Sequence, residues 1–411
     1  MQHVVIIGAS LAGLNAAETL RAEGYAGRIT MVGEEPEDPY DRPPLSKQML
    51  TGEWDADRLP LRSPGELADL NLDLRTGCRA VGLNAADRVL RFDRRESLEF
   101  DGLIIATGAR PISLPFGNDL EGVHTLRSQD DALRIRGELE TSQRVAVIGA
   151  GFIGAEVASS SRARGLDVTM IEALSAPMLG PLGEELAEWA KTLHTDAGVR
   201  MRFNARVADL LGDGRVEAVL LEDGSRIEAD TVVVGIGVRP NVEWLADSGL
   251  TIGDGVICDQ YCRAAPMIYA AGDVARWPNG LFAHFRYANP QRTMRIEHWT
   301  NAVEQGMAAA RNLLLESRDE PLEAFAPVPY FWSDQHGLSI MASGITSPRD
   351  EFRLVHGTLE SNRFAAIYGL RGYLTGVVAV GWPRMLRRYQ AMIRDQVTWE
   401  EALETAAEIE R

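Results

Sequence analysis

The chain has 411 residues, 45% of them hydrophobic, enough to build several cores and, by length, roughly two to three domains. Its 42 basic against 59 acidic residues give a formal net charge of −17, which argues against nucleic acid or an anionic membrane as a general partner, and no apolar run nears the roughly 18 residues of a membrane span. Cys78, Cys258 and Cys262 form no C-x-x-C, so neither a disulfide framework nor a metal site is expected, and Met1-Gln2-His3 enters the first strand without a basic signal segment, which points to the cytoplasm.

The first predicted strand, His3 to Ile7, ends in Gly8-Ala9-Ser10-Leu11-Ala12-Gly13 and leads into an alanine-rich helix. This is the plan of a dinucleotide site: the first glycine permits a tight turn, the middle position lets phosphate approach, and the third packs helix on strand. Ser10 stands at the middle position and is small enough to allow that approach. The strand Arg28 to Val32 is followed by Glu34, 21 residues past Gly13, near the spacing of about 20 at which an acid receives a ribose 2′-hydroxyl. Pro39 to Lys47 reads as an ordered loop entering a helix near Leu45. Lys47 and Lys191 are the only lysines among basic residues that are otherwise arginine, which favours a lysine-specific role for Lys47.

Arg58 to Arg95 reads as loops and short strands, and Leu103 to Pro111 as an apolar strand broken at Gly108, where the chain crosses into a second domain. There the apolar run Arg144 to Ile148 ends in Gly149-x-Gly151-x-x-Gly154, and the strand Asp167 to Ile171 ends at Glu172, 18 residues past Gly154. A lone GxGxxG is weak, but here strand, helix and terminal acid agree. Alternating strands follow at Val207 to Leu210, Arg215 to Leu221 and Arg226 to Ala229. Thr231 to Pro240 then echoes the earlier Ala-Thr-Gly-Ala-Arg-Pro break, as if one nucleotide domain were inserted into another. The expected domains are therefore 1–112 with 245–320, then 113–244, then 321–411. Gly272-Asp273 closes a short strand from Ile268, Glu297 to Leu315 is an amphipathic helix opening with His298 and Trp299, and Pro329 to Gln335 begins antiparallel strands followed by a helix near Arg384 to Arg394. Two dinucleotide folds in one chain suit a resident flavin and a visiting nicotinamide.

The paired loops, Arg42-Pro-Pro-Leu-Ser-Lys47, Ala106-Thr-Gly-Ala-Arg-Pro111, Ala271-Gly-Asp273, Arg295-Ile-Glu-His-Trp-Thr-Asn-Ala302 and Phe331-Trp-Ser-Asp-Gln335 together resemble the FAD-dependent ferredoxin reductases of bacterial cytochromes P450 and aromatic-ring dioxygenases, of the putidaredoxin reductase type. The resemblance implies an α/β fold class: two Rossmann-like nucleotide-binding domains, for FAD and NAD, plus an α+β C-terminal domain, in a glutathione reductase-like architecture. It implies FAD held by Gly8, Ser10, Leu11, Ala12 and Gly13, with Glu34, Arg42, Lys47, Ala80, the Ala106, Thr107 and Gly108 bend, Arg127, Gly272, Asp273, His298, Trp299 and Trp332. NADH falls to Gly149, Gly151, Phe152, Ile153, Gly154, Glu156 and Glu172, with Gly235, Ile236 and Gly237.

The resemblance also places Lys47 and Glu156 together beside the flavin as the catalytic pair, the lysine opposing the negative charge that gathers there as hydride arrives. Related pyridine nucleotide-disulfide reductases carry a redox C-x-x-C soon after the first loop, whereas Asp41 to Gln48 contains no cysteine. Electrons are then expected to leave for a [2Fe–2S] ferredoxin, bound transiently through charge, with Arg286, Arg292, Arg295, Arg387 and Arg388 as docking candidates. Neither nucleic acid nor membrane is expected as a partner, and the chain is expected as a monomer or weak homodimer. Glu172 predicts NADH over NADPH. An NADH oxidase or quinone reductase, and a nucleotide-dependent interaction protein like apoptosis-inducing factor, share this architecture and stand as the other readings.

Overall fold

The structure, a computed structural model, describes residues 1–93, 97–282 and 293–409. By mutual packing the chain falls into two units: Met1–Asp41 with Pro60–Arg110 and Arg239–Phe331, and Arg42–Leu59 with Pro111–Val238 and Trp332–Arg411.

The first unit is built on a six-stranded sheet in the order Arg263–Ala265, Ile268–Ala270, Gly102–Ile105, His3–Ile7, Arg28–Val32, Asp73–Arg75. All its pairings are parallel except the first, at the edge. A parallel strand covered on both faces reads as an unbroken apolar run, and His3–Ile7 does so. Val4 and Ile6 join the core made by the helices Leu11–Ala22 and Trp299–Ser317. Val5 and Ile7 join the opposite core, with Leu83, Leu90, Phe92 and Trp277. The two helices approach so closely that a methyl group on Gly306 would lie 2.4 Å from the Ala12 carbonyl oxygen. That contact fixes the first turn of the helix that follows the first glycine loop.

The second unit repeats the plan with a parallel sheet in the order Arg200–Arg202, Asp167–Ile171, Arg144–Ile148, Thr231–Val234, Val123–Thr125. The antiparallel strands Val207–Asp213, Arg215–Leu221 and Arg226–Glu228 form a second sheet. A third, also antiparallel, runs in the order Tyr330–Gln335, Leu338–Gly344, Tyr373–Val380, Arg363–Leu370, Glu351–Thr358 and is followed by the helices Pro383–Arg394 and Trp399–Ile409. The helix Leu179–Asp196 ties this last sheet to the nucleotide segment. Trp189 Nε1 donates to Asn362 Oδ1 at 2.9 Å, its ring meets Phe364 edge-on at 5.0 Å, and Tyr368 donates its hydroxyl to the Leu182 carbonyl at 2.5 Å.

Strands Arg28–Val32, Asp167–Ile171 and Arg215–Leu221 match their predicted bounds. The stretch read as loops and short strands holds in addition the helix Pro64–Asp69, and the helix Gln129–Thr141 is likewise unpredicted. Both open on a capping box, Ser63 with Glu66 and Ser128 with Asp131, a signal present in the sequence. The helix expected near Leu45 is a 3-10 turn, Pro43–Ser46, followed by the short helix Gln48–Thr51, because the prolines set φ but donate nothing.

Gly306→Ala should destabilise the protein by about 1–3 kcal/mol, the usual range for overpacking. Gly137→Ala is the control, since a methyl group there would meet nothing within 4 Å and alanine favours the helix Gln129–Thr141. Denaturant unfolding checks both, and equal midpoints for the Gly306 variant and wild type would contradict the close helix contact.

Candidate functional site

In the first unit the parallel strands His3–Ile7, Gly102–Ile105 and Ile268–Ala270 end side by side, which is where a doubly wound sheet presents a ligand crevice. Gly8 has φ +120°, and a methyl group on it would lie 2.0 Å from the Ala106 carbonyl oxygen, so the first loop lies flat on the bend Ala106, Thr107, Gly108. A methyl group on Gly13 would lie 1.9 Å from the Gly8 carbonyl oxygen, which holds the helix Leu11–Ala22 against its strand. Gly272, with φ +75°, donates its N–H to Gln305 Oε1 at 2.9 Å and leaves only 3.2 Å between an added methyl group and Ala12 Cβ. Asp273 follows it in the turn Gly272–Val274, so Leu11, Ala12 and this Gly-Asp turn are neighbours.

Ser10 occupies the N-cap with φ −132° and ψ −160°, and its counterpart Gly151 has φ −74° and ψ −177°. Both are extended, so the middle position requires a small side chain rather than a left-handed backbone, and serine meets that requirement. Glu34, just past the second strand, is exposed and 3.9 Å from Arg79 Nη1, next to buried Ala80. Trp299 Nε1 donates to Asp41 Oδ1 at 2.7 Å. His298 occupies the N-cap position of the helix Trp299–Ser317 without a side-chain capping bond, and burial lowers its pKa to about 4. Its Nδ1 is buried without a hydrogen-bond partner among the described residues. An orphaned neutral imidazole and a glycine cradle open at the sheet edge fit a bound dinucleotide better than a closed core.

The second unit builds the same cradle. Gly149 has φ +100°, an added methyl group there would lie 2.3 Å from the Gly235 carbonyl oxygen, and one on Gly154 would lie 2.1 Å from the Gly149 carbonyl oxygen. Above Gly151 there is nothing within 4 Å, the open space a pyrophosphate needs. The helix Phe152–Ala163 starts there, with Ile153 49% exposed, and Ile236 in the facing Gly235, Ile236, Gly237 bend is 39% exposed, so apolar surface is left uncovered at the loop. Glu172 ends its strand against the loop: its carboxylate accepts from the Ala150 N–H at 2.7 Å and from the Leu174 N–H at 2.8 Å.

Four residues past the start of that helix lies Glu156, 3% exposed. Lys47 Nζ is 3.0 Å from its Oε2, Ser46 Oγ donates to Oε2 at 2.5 Å, and Ser333 Oγ donates to Oε1 at 2.6 Å. A buried carboxylate is tolerated only with this kind of pairing. Lys47 also donates to the Pro43 carbonyl at 3.1 Å, and Arg42 Nη1 donates to the Arg127 carbonyl at 2.7 Å. Trp332 stands half-buried beside Ser333. The structure therefore brings together Lys47 and Glu156, which lie far apart in sequence, and adds Ser46 and Ser333, which sequence reasoning missed. Both serines sit inside quoted motifs, but nothing in a single sequence marks a serine as a donor to a distant carboxylate.

The remaining groups sort by availability. All three cysteines are buried, and burial pushes Cys262 up to about 12 and Cys258 upward as well, so neither of these two is poised as a redox thiolate. Arg295 does not stand free for docking: it is 3.2 Å from Asp254 and 2.5 Å from Glu297 with 11% of its side chain exposed. Arg286 and Arg292 lie outside the described residues. Arg387 and Arg388 are exposed, with Arg384 and Arg394, on the helix Pro383–Arg394, whose Met385, Leu386, Tyr389 and Ile393 are buried. No helix among the described residues is long and apolar enough to cross a membrane.

Comparison with known proteins agrees with this geometry. Residues 2–306 match the pyridine nucleotide-disulphide oxidoreductase family and residues 330–408 match a reductase C-terminal domain. Rhodocoxin reductase of Rhodococcus erythropolis is 38% identical over 385 residues, covering 93% of this chain and 87% of its own. The ferredoxin–NAD(+) reductase component of the p-cumate 2,3-dioxygenase system of Pseudomonas putida is 38% identical over 346 residues, covering 84% and 81%. The crystal structure of the covalent putidaredoxin reductase–putidaredoxin complex superimposes with a TM-score of 0.89 at 31% identity, covering 96% of this chain and 93% of that one. With two nucleotide cradles, a buried Lys–Glu pair and these likenesses along nearly its whole length, the chain belongs to the pyridine nucleotide-disulphide oxidoreductase family.

Proposed function

We propose that the protein carries electrons from NADH through FAD to a [2Fe–2S] ferredoxin that feeds a cytochrome P450 or a ring-hydroxylating oxygenase. The observation that carries this reading is the pairing of two dinucleotide cradles with no available thiol: electrons that enter have no internal disulfide to reduce. Its relatives named ferredoxin–NAD(+) reductases and putidaredoxin reductase support the same acceptor. The protein is an oxidoreductase, and its cofactors are FAD and NAD(H).

Within this reading, Gly8, Ser10, Gly13, Ala106 to Gly108, Gly272, Asp273, His298 and Trp299 serve FAD, together with Glu34, Arg42, Lys47, Ala80, Arg127 and Trp332, while Gly149, Gly151, Gly154, Glu172 and Gly235 to Gly237 serve NADH. The domain division follows as 1–112 with 245–320 for FAD, 113–244 for NAD and 321–411 for the C-terminal domain. Bound FAD supplies a ring that takes up a hydride and gives up electrons one at a time. Lys47 supplies fixed positive charge where negative charge develops, and Glu156 holds the ammonium in place while Ser46 and Ser333 hold Glu156. Held by hydrogen bonds at both carboxylate oxygens, the pair acts through its charge. The protein works in the cytoplasm as a monomer or weak homodimer, and ferredoxin docks transiently on the exposed arginines of the helix Pro383–Arg394.

Glu172 should favour NADH by at least about tenfold in kcat/KM, or about 1.4 kcal/mol, because its carboxylate accepts a 2′-hydroxyl and repels a 2′-phosphate. Glu172→Gln should narrow the ratio, and comparable wild-type efficiencies with the two nucleotides would refute the assignment.

NADH-driven reduction of purified [2Fe–2S] ferredoxins from the same genome tests the function itself. Turnover should fall as salt rises, and Arg387→Gln with Arg388→Gln should raise KM for ferredoxin while leaving flavin reduction by NADH unchanged. Fast NADH oxidation by oxygen or quinone with no ferredoxin reduced would replace this reading, and a flat salt response would remove the arginine helix from it.

A further inference from the structure

Glu156 is the end of a longer chain of hydrogen bonds. Ser333 Oγ, which donates to Glu156 Oε1, lies 2.9 Å from Gln335 Nε2; Gln335 Oε1 lies 3.0 Å from His194 Nε2; and His194 Nδ1 lies 2.9 Å from His336 Nε2. Ser333, Gln335 and His194 are at most 1% exposed, while His336 is half-buried on the turn before Gly337, its backbone N–H held by Ser159 Oγ at 2.7 Å.

Hydrogen counting fixes the direction of every bond. Ser333 gives its one hydrogen to the carboxylate, so it must accept from the Gln335 amide nitrogen, which only donates. The amide oxygen then faces His194, which must carry its hydrogen on Nε2 and leave Nδ1 bare. His336 in turn donates from Nε2, and its own Nδ1 faces away from the chain. All the donors therefore point at Glu156.

A proton arriving on His336 Nδ1 breaks none of these bonds and turns the first donor into a charge-assisted one. Serial hydrogen bonds polarise one another, so Ser333 would then hold Glu156 more strongly and Lys47 would be held less. A proton on His194 Nδ1, by contrast, displaces His336. Burial first and the His336 charge second lower His194 to about 4; burial and the Arg162 guanidinium on the helix Phe152–Ala163 lower His336.

We propose that Gln335 is a positioning residue for the redox step and that His336 is the titratable outer end of this one-way chain, through which its protonation reaches the Lys47–Glu156 pair. The proposal rests on the reading of that pair as acting at the flavin. An amide in mid-chain passes on orientation and polarisation but not a proton, so no proton transfer is involved.

The test follows three quantities across pH in the FAD-loaded protein: 15N NMR of the two imidazoles, the stopped-flow rate of flavin reduction by NADH, and the flavin midpoint potential. Both histidines should be Nε2–H tautomers at pH 7, and the wild-type rate should rise about twofold or more as His336 protonates, with a matching inflection in the potential. In Gln335→Leu the NMR titration of His336 should persist while the rate and potential no longer follow it; His336→Gln, a change on a partly exposed turn, should also abolish the step with FAD content and melting temperature retained. An Nδ1–H tautomer at either histidine, a wild-type rate blind to His336, or a Gln335→Leu protein that still follows it would overturn the proposal. Glu156→Gln separates the two failures: if it leaves rate and potential unchanged, the reading of the pair has fallen, and if it changes them while the His336 step is missing, only the chain has.

Discussion

A carboxylate taken out of water must be given its charge partner and its hydrogen bonds, or the fold that buries it loses several kcal/mol. Glu156 is that carboxylate, and its partners come from every segment of the second unit. Ser46 and Lys47 belong to Arg42–Leu59, Glu156 itself to Pro111–Val238, and Ser333 to Trp332–Arg411. The glutamate thus draws together three pieces of chain that are remote in sequence. Its helix is pinned by Gly154 to the strand beneath it, and the same helix offers its N-terminus to a nucleotide anion. One rigid element therefore carries both a nucleotide cradle and the anion of the buried pair.

The two cradles show how little of a glycine motif is about glycine. Gly8 and Gly149 need their left-handed φ and sit on the carbonyls of Ala106 and Gly235. Gly13 and Gly154 need the absence of a side chain, because each touches the carbonyl of the loop's first glycine. The middle position needs neither, and this is why Ser10 and Gly151 can differ while both backbones stay extended. The bends opposite, Ala106 to Gly108 and Gly235 to Gly237, complete each cradle, so the echo between them in the sequence marks equivalent positions in two copies of one architecture.

Much of this was legible in the sequence, since apolar runs buried on both faces, glycine spacing and terminal acids are local signals. The strands and loops of both nucleotide folds follow from them directly. What was not legible depends on contacts between distant residues. Gly306 reads as a weak point in a helix until its helix is seen against Ala12, and Ser46, Ser333, Gln335 and His194 read as ordinary polar residues until one carboxylate orders them. Arg295 shows the converse, a charge that the sequence offers as surface and the structure consumes in pairs with Asp254 and Glu297. The helices Pro64–Asp69 and Gln129–Thr141 were recoverable, because their capping boxes are spelled out at the N-terminus of each.

The central claim is that the Lys47–Glu156 pair serves electron transfer rather than stability, and Lys47→Met tests it because the variant keeps the apolar stem and removes the charge. The decisive measurement is the stopped-flow rate of flavin reduction by NADH in that variant, read beside its FAD content, flavin potential and melting temperature. FAD should be retained, with a clear change in the rate or the potential. Wild-type values for both, with only the melting temperature lowered, would show that the pair is a structural bridge and contradict the account.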